Sequence, residues 1–210
     1  MRNFFEHTRN PQGLGGKIMV SMMNRGHASV ARWGMQHLEL KDGSLVLDAG
    51  CGGGANMAAM RKRFSGGLVT GLDHSPVSAA KAEKVNRRAV ASGLCRVMVG
   101  DVASLPFPDS TFDLVTAFET VYFWPEPEQS FRQMLRVLKP GGCFLICNEA
   151  DGSDPAQEKW CAIINGMKIY TAAQLESFLR SAGFCQVRTD RVSRRKWLCV
   201  TAKKPWQTPD

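Results

Sequence analysis

The chain lacks any stretch apolar enough to cross a bilayer. No run approaches the roughly 18 residues a span requires, and Met1 to Gln12 has no apolar centre of the kind a secretory leader carries. A cytosolic location is the expectation. Seven cysteines are present, an odd number with no C-x-x-C pair, so neither a disulfide framework nor a zinc site is signalled, and no metal is expected. Cys95, Cys143, Cys147, Cys185 and Cys199 fall in or beside expected strands, where a free thiol behaves as a small buried hydrophobe. No repeat, low-complexity segment or composition break divides the 210 residues, so one domain is expected, long enough to bury a full core. Acidic residues are the scarcer charge: 27 Lys and Arg face 19 Asp and Glu, a formal charge of +8. That excess raises the question of an anionic partner, although a solvated basic surface accounts for it equally well.

What the chain does have is a stretch around which the rest is organised. Leu45-Val46-Leu47 is the short apolar run of a buried strand, Asp48 ends it, and Gly50, Gly52 and Gly54 follow at alternate positions. Ala55 to Phe64 then has helix-forming composition. A strand that turns over glycines into a helix brings bare backbone up to a ligand. G-x-G-x-G alone is weak evidence, and Gly50 to Ala55 is also close to the G-x-G-x-x-G of a dinucleotide fold. Asp48 separates the readings, because a carboxylate there repels a pyrophosphate and attracts a cationic ligand.

An acidic residue followed by G-x-G-x-G resembles the first motif of the class I S-adenosylmethionine-dependent methyltransferases, whose cofactor carries a sulfonium and an ammonium and no phosphate. The resemblance runs from about Ser44 to Lys204 and is closest to the branch that includes the ubiquinone and menaquinone biosynthesis enzymes. It implies a Rossmann-like α/β fold: a seven-stranded doubly wound sheet, mostly parallel with a C-terminal antiparallel hairpin, with helices on both faces. A methyltransferase core over residues 44–204 would follow an N-terminal helical flap over residues 1–43. In the flap, Ile18, Met19, Met22 and Met23 recur at helical spacing before Asn24-Arg25-Gly26, and a second helical pattern carries Val30, Trp33, His37 and Leu38. These side chains either close over the cofactor or simply pack on the core.

The remaining motifs fall in sheet order. Leu68 to Asp73 reads as the second strand, and Asp73, 25 residues beyond Asp48, is placed to accept hydrogen bonds from ribose hydroxyls. His74 matches the family position against the adenine face. Ser75-Pro76 is an N-cap followed by Pro at the first helical position, opening a helix expected to reach Ser92-Gly93. After a third strand from Leu94 to Gly100, Asp101 and Val102 match the pair that meets the adenine amino group and a ring nitrogen. Leu105 to Asp113 resembles the family's link into its fourth strand, Asp113 to Phe118, which delivers Phe118, Glu119 and Thr120-Val121-Tyr122-Phe123-Trp124 where open α/β sheets bind ligands. Phe131, Met134, Leu135 and Leu138 form an i, i+3, i+4, i+7 core stripe. Leu138-Lys139-Pro140-Gly141-Gly142, a family marker, turns that helix into a fifth strand from Cys143 to Asn148. A capped helix from Ala172 to Ala182 precedes two strands, Phe184 to Val192 and Lys196 to Ala202.

The expected cofactor site is therefore Asp48, Gly50, backbone of Cys51, Gly52, Asp73, His74, Asp101, Val102, Phe118 and Glu119, for S-adenosylmethionine and its product S-adenosylhomocysteine. Met23, His27, Tyr122 and Phe123 are expected to line the acceptor pocket. Methyl transfer from a sulfonium needs alignment more than a nucleophile on the protein, and proximity alone supplies on the order of 7–11 kcal/mol. No catalytic residue is identified; His27, His74, Glu119 and Tyr122 are the candidate bases. A small-molecule acceptor is expected. Nucleic acid is disfavoured: no Asn/Asp-Pro-Pro-Tyr/Phe motif for a flipped base follows the fourth strand, no Pro-Cys pair exists for cytosine chemistry, and no RNA-binding module is appended. RNA methylation, a cofactor-binding protein without catalysis, and (least) a dehydrogenase remain the alternatives.

Overall fold

The computed structural model describes residues 6–9, 11–39 and 41–206. The expected polar lead-in at positions 1–5 and 10, and flap position 40, lie outside the described residues. Seven strands form one sheet: β1 (Leu45–Ala49), β2 (Leu68–Asp73), β3 (Cys95–Val99), β4 (Phe112–Phe118), β5 (Leu138–Asn148), β6 (Cys185–Val192) and β7 (Trp197–Lys203), in the order β3-β2-β1-β4-β5-β7-β6. All pairs from β3 to β5 are parallel, and β7 runs antiparallel to both β5 and β6. This is the doubly wound sheet with a terminal hairpin that the sequence leads one to expect.

β1 is central, paired with β2 on one side and β4 on the other. Its residues alternate between two cores, as a period of two requires. Leu47 and Ala49 join Val115, Phe131, Phe144 and Leu175 on one face, whereas Val46 joins Met57, Met60, Leu114 and Val30 on the other. Both faces are apolar, so the strand reads as a continuous hydrophobic run. The chain leaves β1 toward β2 on one side and reaches β4 on the other. The crevice between the carboxyl ends of β1 and β4 is where such sheets bind ligands.

The helices, in chain order, are α1 (Gly13–Gly26), α2 (Ala28–Gly34), α3 (Ala55–Arg63), α4 (Pro76–Val85), α5 (Arg87–Ala91), α6 (Pro127–Val137), α7 (Glu158–Ile163) and α8 (Ala172–Ser181). α8 opens with a capping box, Thr171 accepting from the Gln174 N–H while Gln174 accepts from the Thr171 N–H. Three expectations need correction. The helix after Ser75-Pro76 is broken at Asn86, whose buried side chain donates to the carbonyls of Gly54 (2.9 Å) and Ala82 (3.0 Å) and so turns away from a helical surface role. Leu138 does not complete the α6 stripe but starts β5 in extended geometry, so the Pro-Gly-Gly turn is absorbed into the strand. In α1 only part of the apolar pattern is core: Met19 is buried, but Ile18 and Met22 lie exposed beside Leu14. Among the described residues no helix is long and apolar enough to cross a membrane.

Candidate functional site

The glycine loop after β1 is shaped by three left-handed residues, Gly50, Gly52 and Gly54, a conformation that side chains disfavour. Gly50 also lacks space: a Cβ there would come within 2.1 Å of Thr120 Oγ1. At Gly52 a Cβ would meet nothing within 4 Å, because this residue faces an open cavity. The loop's donors are largely engaged. Gly50 and Cys51 N–H donate to the Leu72 carbonyl (2.7 and 3.0 Å), Gly52 N–H to Asp73 Oδ2 (2.9 Å), and Gly54 N–H to the Cys51 carbonyl (2.9 Å). A phosphate cradle needs such N–H groups free and aimed at the anion. Here they fasten the loop to the end of β2.

The cavity, about 330 Å³, runs from this loop past the ends of β2 and β3 to the ends of β4 and the flap. At one end it is lined by Gly50, Cys51, Gly52, Asp73, His74, Asp101 and Val102. Asp73 is buried, and each carboxylate oxygen accepts one backbone N–H: Oδ2 from Gly52 and Oδ1 from Ser75, both at 2.9 Å. The Ser78 side chain also bonds this carboxylate, whose two oxygens together keep acceptor capacity for a hydroxyl. Burial raises the Asp73 carboxyl, opposed by those N–H groups and by His74. Asp101 is exposed at the cavity wall, its Oδ1 taking the Ala103 N–H.

At the other end the lining is Met23, Asn24, His27, Phe118, Glu119, Thr120, Phe123 and Trp124. His27 sits at the hinge between α1 and α2, with Nε2 3.4 Å from Glu149 Oε1. Glu119 follows β4 with a positive φ of 58°, a sparsely populated setting for a side-chain-bearing residue. Its Oε1 accepts the Glu149 N–H at 2.5 Å. Ligand atoms of His27, Glu119 and Glu149 all lie within 4.8 Å of one another. Burial pushes the Glu119 carboxyl up to about 8, with Glu149 adding to the rise and His27 opposing it. Burial works against a charge on His27, but the carboxylates of Glu149 and Glu119 outweigh it and raise its pKa.

Two expected site residues are placed elsewhere. Tyr122 does not line the cavity: it lies buried in a 3-10 turn (Val121–Phe123), its hydroxyl oxygen accepting the Ala150 N–H at 3.0 Å. The turn sends Phe123, not Tyr122, to the cavity. Asp48 is likewise behind the glycine loop. Its Oδ1 accepts the Thr116 hydroxyl (2.8 Å), Oδ2 is buried with no partner among the described residues, and burial pushes its carboxyl up to about 7, Thr116 opposing and Asp73 adding to the rise. Its influence on a ligand is electrostatic and indirect. Of the other expected residues, Met23, His27, Gly50, Cys51, Gly52, Asp73, His74, Asp101, Val102, Phe118, Glu119 and Phe123 all border the one cavity.

Several site residues carry no local signal. Asn24 lines the cavity and donates to the Gly53 carbonyl (3.2 Å), tying the flap to the loop. Thr120 fills the space a side chain at Gly50 would take and accepts from Trp124 Nε1 (3.2 Å). Glu149 meets His27 and Glu119 from the end of β5, and Asn86 holds the Gly54 carbonyl from the break between α4 and α5. The position of Glu149 directly after β5, matching that of Glu119 after β4, is the one hint the sequence offers.

Residues 47–146 match a family model described as a methyltransferase domain. Cycloartenol-C-24-methyltransferase 1 of Oryza sativa subsp. japonica is 39% identical over 109 residues, covering 52% of this chain and 31% of the relative. Cycloartenol-C-24-methyltransferase of Arabidopsis thaliana is 31% identical over 182 residues, covering 82% of this chain and 52% of the relative. The chain thus spans about half or less of the length of these curated relatives. Among solved structures, a methyltransferase in complex with the Trm112 methyltransferase activator of Haloferax volcanii superposes with a TM-score of 0.83 at 22% identity, covering 92% of this chain and 96% of that one. That likeness is one of fold.

Proposed function

We propose that the protein, through its methyltransferase domain, transfers the methyl group of S-adenosylmethionine to a small-molecule acceptor. One observation carries the choice of cofactor. The glycine loop keeps its N–H groups on Leu72, Asp73 and Cys51, and the cavity it borders is lined by carboxylates, which suits a cationic cofactor without phosphate. When bound, that cofactor supplies an activated methyl group on a sulfonium. The residues fit it by chemistry: Asp73 accepts the ribose hydroxyls, Asp101 and the Val102 N–H take the adenine edge, His74 covers its face, and Gly52 permits close approach of the backbone. Asp48, from behind the loop, favours the cationic form electrostatically. The protein's task is then to exclude water, align the acceptor and receive its proton where the acceptor has one.

The curated relatives named above are cycloartenol C-24 methyltransferases, whereas the sequence from about Ser44 to Lys204 resembles the ubiquinone and menaquinone branch. The chain spans about half or less of those relatives' length, so their acceptor is not carried over to it. Nucleic acid is disfavoured because the aromatics at the site, Phe118, Phe123 and Trp124, line the cavity rather than a basic surface. A cytosolic location accompanies this reading. The test is transfer of labelled methyl to a metabolite extract and to total RNA, each at physiological salt. Label in the small-molecule fraction is expected; label confined to RNA, persisting at that salt, would replace the acceptor class.

A further inference from the structure

From the acceptor end of the cavity we infer that the acceptor is an amine, held as its ammonium by Glu119 and deprotonated there before methylation, with His27 and Glu149 as positioning residues. The inference rests on the methyltransferase reading and extends it to a substrate class. Its basis is a charge imbalance held by geometry. Two carboxylates, Glu119 and Glu149, project from the ends of adjacent parallel and central strands, and one imidazole, His27, meets them from the flap. Two negative groups and one positive group leave one negative charge without a counterion. His27 is nearest to Glu149, at 3.4 Å, and among the described residues Glu119, which faces the cavity, is in no ion pair of its own, His27 acting on it from within 4.8 Å. Arg9 borders the same cavity and donates to the Asn165 carbonyl (3.1 Å), but it is not among the charges that act on Glu119, which are those of His27 and Glu149. The Tyr122 hydroxyl is neutral and adds no charge.

In the empty site the imbalance is relieved by protonation, which agrees with the raised Glu119 carboxyl. An alkylammonium supplies the missing positive charge directly, donates hydrogen bonds to the carboxylate, and finds the Phe123 ring beside it as a further cation-attracting surface. The chemistry then balances. The ammonium N–H bond breaks and its proton passes to the Glu119 carboxylate, freeing the nitrogen lone pair. That lone pair forms the new N–C bond as the methyl C–S bond breaks. The C–S electron pair stays on sulfur, and the positive charge moves from sulfonium to the methylated nitrogen. The alkoxide of an alcohol or the π-bond of an alkene brings no cation to Glu119 in its bound ground state.

The test uses the full chain saturated with S-adenosylhomocysteine, titrated calorimetrically with 2-phenylethylamine, N-methyl-2-phenylethylamine and 2-phenylethanol. The amines are expected to bind at least about 10-fold more tightly than the alcohol, the usual effect of one charge-assisted hydrogen bond. Glu119→Gln, titrated after saturation with S-adenosylhomocysteine, should lose that preference, and Glu149→Gln should reduce it. Equal binding of amine and alcohol, no amine binding, or a preference that survives Glu119→Gln would each overturn the inference. So would Mn²⁺ added alone binding at the site, lost in Glu119→Gln and displacing the amine, which would make the missing cation a metal. If the sulfonium is the only cation the site awaits, S-adenosylmethionine will bind far more tightly than S-adenosylhomocysteine and no amine will bind the latter complex. Failure to bind S-adenosylhomocysteine at all would instead sink the methyltransferase reading, so the two failures are distinct.

Discussion

Replacing Asp48 by Asn should remove one distinct part of the stability that the ligand-free protein loses as pH rises from about 4 to about 7. Asp48 is 1% exposed, one oxygen takes the Thr116 hydroxyl, and the other is buried with no partner among the described residues. Burial moves its carboxyl from the ordinary 3.8 to about 7. The folded state therefore keeps a proton that the unfolded chain releases, and stability falls as pH rises from about 4 to about 7. At about 1.4 kcal/mol for each tenfold change in proton affinity, the loss across that window is about 4 kcal/mol. For a chain of this size that corresponds to roughly 8–16 °C in melting temperature. Asn keeps an oxygen for Thr116 but cannot ionise, so its curve should be flatter by that amount. The amide also places N–H groups where Oδ2 has no partner, a cost of about 1–3 kcal/mol that does not depend on pH. The comparison must therefore be of slopes. Melting of both proteins from pH 4 to 8 decides the matter. Glu119 and His27 titrate in the same direction and are present in both, so parallel curves would refute the assignment of the effect to Asp48.

Three further outcomes are expected. Asp73→Ala should weaken S-adenosylhomocysteine binding about 10- to 100-fold, from a charge-assisted bond worth roughly 1.5–3 kcal/mol, and should also cost stability through the freed Gly52 and Ser75 N–H groups; calorimetry and melting separate the two effects. Gly50→Ala should lose cofactor binding, because its Cβ collides with Thr120 Oγ1 at 2.1 Å in a left-handed conformation, and Thr120→Ser, which keeps the hydroxyl, should not rescue it. Asn86→Ala should cost about 1–3 kcal/mol by leaving the Gly54 carbonyl without its buried donor, measured by urea unfolding.

The sheet was legible because β1, β2 and β4 are largely buried and each carries a short apolar run, Leu45-Val46-Leu47, Leu68-Val69 and Leu114-Val115. The glycine-loop end of the cavity was legible for a related reason: a glycine loop and an acidic strand end are local signals, and the structure joins Gly52 to Asp73 by a hydrogen bond across 21 residues. The acceptor end was not. Tyr122 and Phe123 are neighbours, and only the 3-10 turn decides which one reaches the cavity. Asp48 lies one residue from the glycines, yet the alternation of β1 turns it toward Thr116 and away from the opening. Asn24, Glu149 and Thr120 act through contacts made only when α1, β4 and β5 converge. Such contacts leave no periodicity to read.

The central claim is tested most directly by titrating the full chain with S-adenosylhomocysteine and with NAD in parallel. The account predicts saturable one-to-one binding of the thioether, weakened in Asp73→Ala, and no saturable binding of the dinucleotide, whose phosphates would find the loop N–H groups already engaged. Saturable NAD binding with none for S-adenosylhomocysteine would contradict it.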